Sequence, residues 1–388
     1  MLPAHVLARI LSLRVRGSPK RAPTTAYVLR LAPIEERGEQ MGKRISLIGA
    51  LLAVVVAAAS ATGGGRGYAW DLTPTGAAAR LRGVSAISAR SAWTSGSLGT
   101  VLRTVDGGET WQYVGPPGTE ALQFRDIEAF DADRAVILSI GTGSDSRVYV
   151  TSDAGHTWTL KFTNADPDAF YDCMTFFDSQ RGLALSDPVD GRFRIIATND
   201  GGQSWHVVSS SGMSAALPGE FAFAASGECL VTDHGRRAWF ATGGAAQARV
   251  FRSDDGGNTW TVSATPIFSS PSAGIFALAF SGQQHGLAVG GDFLAPTQSP
   301  DALALTADGG VTWELVHTGP NEYRSGAAWV TGRDAVVVGP TGSDVSLDGG
   351  QTWQRFDTGS FDTVDCANPE ACWASGESGR AARLVRTH

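Results

Sequence analysis

One octet, Thr/Ser-x-Asp-x-Gly-x-Thr/Ser-Trp, is written six times along this 388-residue chain: TVDGGETW (104–111), TSDAGHTW (151–158), TNDGGQSW (198–205), SDDGGNTW (253–260), TADGGVTW (306–313) and SLDGGQTW (346–353). No other feature limits the fold as tightly. A residue that does chemistry normally occurs once, whereas these aspartates (Asp106, Asp153, Asp200, Asp255, Asp308 and Asp348) recur 47, 47, 55, 53 and 40 residues apart. A period in the forties, with short strands around each copy, is the signature of propeller blades.

The residue types in the octet point to a turn. Aspartate accepts hydrogen bonds from nearby backbone N–H groups, glycine takes a positive φ, and the hydroxyls tie back to the loop. The closing tryptophans (Trp111, Trp158, Trp205, Trp260, Trp313 and Trp353) are expected to pack into the blades. Each box should therefore fold the hairpin between the third and fourth strands. Residues 171–208 show a whole blade: strands at 171–177, 182–185 and 193–198, then the box, then a strand from Trp205, with period-two alternation in RFRIIAT.

Six such meanders precede the six boxes. The C-terminal stretch FDTVDCANPEACWASGESGRAARLVRTH reads as three strands without a box, and YAWDLTPTG (68–76) reads as a strand without a blade. The segment around Trp70 is expected to supply the missing outer strand of blade seven and remove the exposed edge. The expected fold is thus all-β, a seven-bladed propeller over residues 62–388 with about 47 residues per blade. The 48 glycines and the low charged fraction, 18%, suit many short strands and tight turns.

The first 61 residues stand apart. MGKRISLIGALLAVVVAAASATG has a basic start (Lys43, Arg44), an apolar run at 45–59 and small residues at Ala59 and Ala61, which reads as a secretory signal over 41–61. The run is short of the roughly 20 residues that span a bilayer, so cleavage is expected, with an uncleaved membrane anchor as the alternative. Residues 1–40 read as an upstream extension or a misassigned start, since Met41 offers a natural one. Removing residues 1–61 leaves a net charge of −13. An exported, periplasmic or secreted body this acidic disfavours nucleic acid and anionic membrane surfaces as partners.

Cys366 and Cys372 flank ANPEA, a loop suited to a small disulfide in an oxidising compartment. Cys173 and Cys229 lie in apolar strand-like runs, as buried thiols or a second bridge. No Cys/His spacing suggests zinc, no GxGxxG spacing suggests a dinucleotide, and Asp187 with Asp190 supplies too few oxygens for calcium. No cofactor or metal is expected.

Boxes of this form are shared with sialidases and sortilin-like receptors. The blade phrases LQFRDIEAF, YDCMTFFDSQRGLALSDPVDG and SAGIFALAFSGQQHGLAVGGDF most resemble the photosystem II stability/assembly-factor family of exported propellers, over roughly residues 68–388. The resemblance implies a non-catalytic propeller that binds a protein or peptide, such as a membrane protein under assembly, with a monomer expected.

Ligand sites on propellers usually occupy the face opposite the boxes, where the inner strands begin and the second-to-third strand loops lie. The candidate partner-binding residues there are Arg125, Tyr171, Asp172, Asp187, Asp190, Glu220, Asp292, Tyr323 and Arg324, within a wider set that includes Arg82, Phe124, Phe221, Phe276, Phe361 and Asp362. Tyr and Arg are common anchors at interfaces, and the long loop GGDFLAPTQSPDALAL breaks the ring's symmetry. The alternative is a glycan-binding propeller or a sialidase-like glycoside hydrolase. The latter needs an arginine cluster, a tyrosine nucleophile and carboxylates; Arg125, Arg324, Tyr171 or Tyr323, and Glu220 would have to converge. The sialidase Phe/Tyr-Arg-Ile-Pro motif has its nearest match in FRII (193–196), a third strand without the proline.

Overall fold

The computed structural model describes residues 67–387. The upstream extension, the signal segment and its cleavage region lie outside the described residues. Seven four-stranded antiparallel sheets follow one another, six of them meanders in chain order. Blade 3 has strands Tyr171–Phe176, Gly182–Val189, Arg192–Thr198 and His206–Val207, close to the bounds read from alternation and turn residues. The inner strands are Leu81–Ala86, Gln123–Ala129, Tyr171–Phe176, Leu230–Thr232, Ala273–Ser281, Gly326–Trp329 and Thr363–Asn368. Each packs against the next around a ring, and the seventh returns to the first.

The ring is closed as expected. Gly67–Leu72 pairs antiparallel with Ala381–Thr387 as the outer strand of blade 7, with Trp70 opposite Leu384. This strand also grips blade 6: the Tyr68 hydroxyl donates to Asp334 (2.7 Å) and Trp70 Nε1 to Ser343 Oγ (2.9 Å).

The boxes are architecture. In the first, the Thr104 hydroxyl accepts from Gly108 N (3.0 Å) and donates to Asp106 (2.8 Å), whose two oxygens accept from Thr110 N (3.0 Å) and Thr110 Oγ1 (2.5 Å). The same four contacts recur in the other five. Hydrogen bonds from Thr110 and Thr157 hold Asp106 and Asp153 down at about 2. Box tryptophans help to join blades: Trp158 meets Trp93 of blade 1 edge-on at 6.3 Å, and Trp111 meets Trp373 of blade 7 at 5.8 Å.

Both cysteine pairs are bonded. Cys366–Cys372 bridges directly opposed residues of a blade 7 hairpin. Cys173–Cys229 is a second bridge, linking blade 3 to blade 4 across a Cα–Cα distance of 6.1 Å.

Candidate functional site

Four inner strands slip register near their starts, between Leu81 and Gly83, Phe124 and Asp126, Tyr171 and Cys173, and Ile275 and Ala277. A bulge sets two residues against one on the partner strand and re-aims the extra side chain. In each case the residue before the bulge (Leu81, Phe124, Tyr171, Ile275) is buried in the blades. The bulged residues Arg82, Arg125, Asp172 and Phe276 are turned towards the axis. Arg82 and Arg125 reach across it to carbonyls of blade 4, and Phe276 stacks at 3.8 Å on Phe223, also of blade 4.

Blade 4 supplies what fills the axis. Its inner strand is cut to Leu230–Thr232, and residues 221–228 dive into the upper channel as a plug. Arg125 donates to Ala224 O (2.5 Å) and Arg82 to Ala225 O (3.4 Å). Ala222 N donates to Asp187 (3.0 Å). Glu228 accepts from Ala327 N (2.5 Å) in blade 6 and from Thr363 Oγ1 (2.8 Å) in blade 7. Cys229 then ties the plug's end to blade 3. The spacing between the third and fourth boxes, 55 against the preceding 47, is the trace this excursion leaves in the sequence.

Below the plug, carboxylates join neighbouring inner strands. Asp126 accepts from Met174 N (2.5 Å) in blade 3, and Asp365 from Ala86 N (2.8 Å) in blade 1. Burial pushes Asp126 up to about 7 and drives Glu128 and Glu228 well above the carboxylate range.

The mouth above the plug has two halves. On the side of blades 4 to 6 an aromatic cluster gathers Phe221, Phe223, Phe276, Phe293 and Tyr323. On the other side Arg80 grips Asp362 through two bonds (2.8 and 2.6 Å), whereas Arg82 and Arg125 have no carboxylate within ion-pair distance among the described residues. Burial weighs against charge on both and most strongly at Arg125, where repulsion from Arg82 and Arg80 adds to it; at Arg82 repulsion from Arg80 adds as well, while the nearby Asp362 favours the charge on both. Asp172 lies nearby, but burial pushes its carboxyl up, Asp187 adds to the push, and Arg125 only opposes it.

The candidates read from the sequence are therefore sorted by the bulges and the plug. Arg125 and Tyr323 border the mouth, and Asp187 holds the plug. Asp172 faces the axis yet is 1% exposed beneath the plug. Tyr171 and Arg324 are corrected as surface anchors. Tyr171 packs edge-on against Phe162 at 5.4 Å, and Arg324 is wholly buried, paired with Asp344 at 2.8 and 2.5 Å. Glu220 is likewise internal, bonded to Arg249 (2.8 Å) and Thr242 (2.6 Å), and does not begin a strand. Asp190 lies in an exposed turn with φ 54°, away from the plug contact of Asp187, and Asp292 caps Leu294 N (2.9 Å). Of the set a sialidase would need, Arg324 and Glu220 are sealed in internal ion pairs, whereas Tyr323 shares the mouth with Arg80, Arg82, Arg125 and Asp362. Sequence reasoning missed the plug, Glu228 and the Arg80–Asp362 clamp.

No family model matches the chain, and no curated protein matches it in sequence. Solved structures do match in fold. The structure described as "YCF48 bound to D1 peptide" superposes with TM-score 0.59 at 17% identity, covering 81% of this chain and 96% of that one. YCF48 from Cyanidioschyzon merolae gives 0.59 and 17%, covering 82% and 99%. This chain shares the YCF48 fold. The GH74 enzyme of Niastella koreensis superposes with TM-score 0.55 at 15% identity, covering 80% of this chain but 53% of the enzyme.

Proposed function

We propose that this chain is an exported, non-catalytic propeller that binds an extended peptide of a protein partner across the axial mouth, as an assembly or stability factor. One observation carries the reading: two half-buried arginines, Arg82 and Arg125, share the mouth with no carboxylate within ion-pair distance among the described residues, beside an aromatic cluster. Guanidinium pairs of this kind suit carboxylates, and the adjoining rings suit apolar side chains. The shared fold with a propeller described as bound to a peptide supports a peptide as the ligand. Two disulfides suit an oxidising compartment, in line with the signal at 41–61.

The test is an array of 12-residue peptides probed with residues 62–388, wild type and Arg82→Ala/Arg125→Ala, with circular dichroism to confirm folding. Wild-type protein should retain carboxylate-bearing peptides in a salt-sensitive way, and the double variant should lose about tenfold or more in affinity. Retention of no peptide, or selective binding on a glycan array instead, refutes the proposal.

A further inference from the structure

The loop-rich face has a second feature that the arginine pair does not explain. The blade 5 insertion, 291–302, runs beside the loop that leads into that blade, 265–272. Two backbone bonds tie them, Phe268 N to Asp301 O (3.1 Å) and Phe293 N to Ser272 O (3.2 Å). The insertion is braced on blade 6 as well: Ser299 N donates to Asn321 O (2.9 Å) and Tyr323 N to Pro296 O (2.9 Å). Within it the Asp292 carboxylate fixes Leu294 N. These bonds hold the two loops in place, yet Leu294 is 60% and Phe268 51% exposed.

Two tied loops that each present a large apolar side chain to water give up burial that would otherwise stabilise them, and exposed apolar surface held in place in this way marks a contact surface. By contrast, the large exposed apolar side chains on strands, Leu72, Tyr113, Leu160 and Val207, sit singly on the outer strands of four different blades. Here the exposed side chain adjoins the mouth's own packing: Phe293, directly before Leu294, is half-buried against the buried rings of Phe223 and Phe276, in the cluster that borders the mouth.

Resting on the peptide-binding reading, we infer that Phe268 and Leu294 form a shelf for apolar side chains of the same peptide whose carboxylate sits on Arg82 and Arg125. The occupant is an amphipathic segment, acidic at the end over blades 1 and 2 and apolar at the end over blade 5. Charge complementarity sets this direction: the cations with no carboxylate within ion-pair distance among the described residues are on one side of the plug and the apolar surface on the other. The insertion thus acts as a specificity element, selecting among acidic peptides those with a large apolar residue at the right distance.

The experiment titrates a fluorescein-labelled 12-residue peptide, the tightest retained by wild-type protein on the array, against wild type, Phe268→Ser, Leu294→Ser and Arg82→Ala/Arg125→Ala. In parallel, each large apolar residue of the peptide is replaced by serine and titrated against wild type. Each shelf variant should weaken binding by about fivefold or more, the loss expected for one aliphatic or aromatic side chain left in water. Its salt dependence should stay unchanged, and at least one serine-substituted peptide should lose no more against the shelf variant than it already lost against wild type. The arginine variant should instead flatten the salt dependence. Shelf variants that bind at wild-type strength, or a peptide indifferent to every serine replacement, overturn the shelf while the arginine effect leaves the peptide reading standing. A wild-type protein that retains no peptide refutes both. Melting temperatures check that the exposed substitutions leave the fold intact, and the peptide substitutions give the answer on unaltered protein.

Discussion

The two disulfides differ in a way that a paired experiment can read. Cys173–Cys229 closes a separation of 56 residues and Cys366–Cys372 one of 6. The chain-entropy relation assigns about 4 kcal/mol to the first and about 2 kcal/mol to the second. Cys173 and Cys229 are also wholly buried in a cluster with Phe177, Leu183 and Leu185, so replacing both by alanine leaves space that adds about 1–2 kcal/mol. Cys173→Ala/Cys229→Ala should therefore cost about 5–6 kcal/mol, against about 2 kcal/mol for Cys366→Ala/Cys372→Ala. Urea unfolding followed by tryptophan fluorescence measures both, and the difference between the variants is more secure than either absolute value. Because Cys229 directly follows Glu228, the first variant also loosens the plug that holds Arg82 and Arg125, so its peptide affinity should fall while that of the second stays unchanged. A blade 7 variant that loses as much stability as the blade 3–4 variant, or more, would refute the entropy argument. An unchanged peptide affinity in Cys173→Ala/Cys229→Ala would refute the coupling of plug to mouth.

Two further outcomes follow from buried charge. Arg324→Ala removes the wholly buried partner of Asp344, leaving it the more exposed Arg355 alone, and should cost about 3 kcal/mol, at the low end for breaking a buried pair, with Arg324→Met costing less because it refills the volume; lost peptide affinity at unchanged stability would instead return Arg324 to the binding surface. Stability should also peak in mild acid. Asp126 is raised by burial to about 7, so the native state keeps its proton after the unfolded chain has lost it, and stability falls as pH rises from about 4 through about 7. Asp106 and Asp153 are lowered to about 2, so their contribution is present above about 4 and is lost as pH falls towards 2. Urea midpoints between pH 3 and pH 8 should show this maximum, and Asp126→Asn should make its alkaline limb shallower, the remainder coming from Glu128, Glu228 and Asp187, which burial also raises; a midpoint that climbs steadily up to pH 8 refutes the assignment.

The site was only partly legible in the sequence. Tyr171 and Arg324 look like anchors because Tyr and Arg at strand starts on a loop-rich face commonly are. Whether such a residue faces the axis or the space between blades depends on a one-residue bulge. Period-two alternation reverses across a bulge, and nothing local in YDC or FRD marks where the slip falls. Arg125 and Asp172 are axial for that reason, while Phe124 and Tyr171 beside them are packed away. Glu220 was misplaced because the blade 4 strand was read too early; the long box spacing showed that extra chain was present, not that it entered the channel.

The six boxes, the blade order and the closing strand at Trp70 were determined by sequence alone, because each rests on a local pattern repeated along the chain: hydroxyl, aspartate and glycine in a turn, alternation in a strand, a period in the forties. The axial placement of Arg82 and Arg125, the burial of Arg324 and the bonding of Cys173 to Cys229 were decided only by tertiary structure. These depend on residues about 20 to 140 positions apart meeting around the axis, where one register slip and one plug determine which side chains keep water and which are sealed from it.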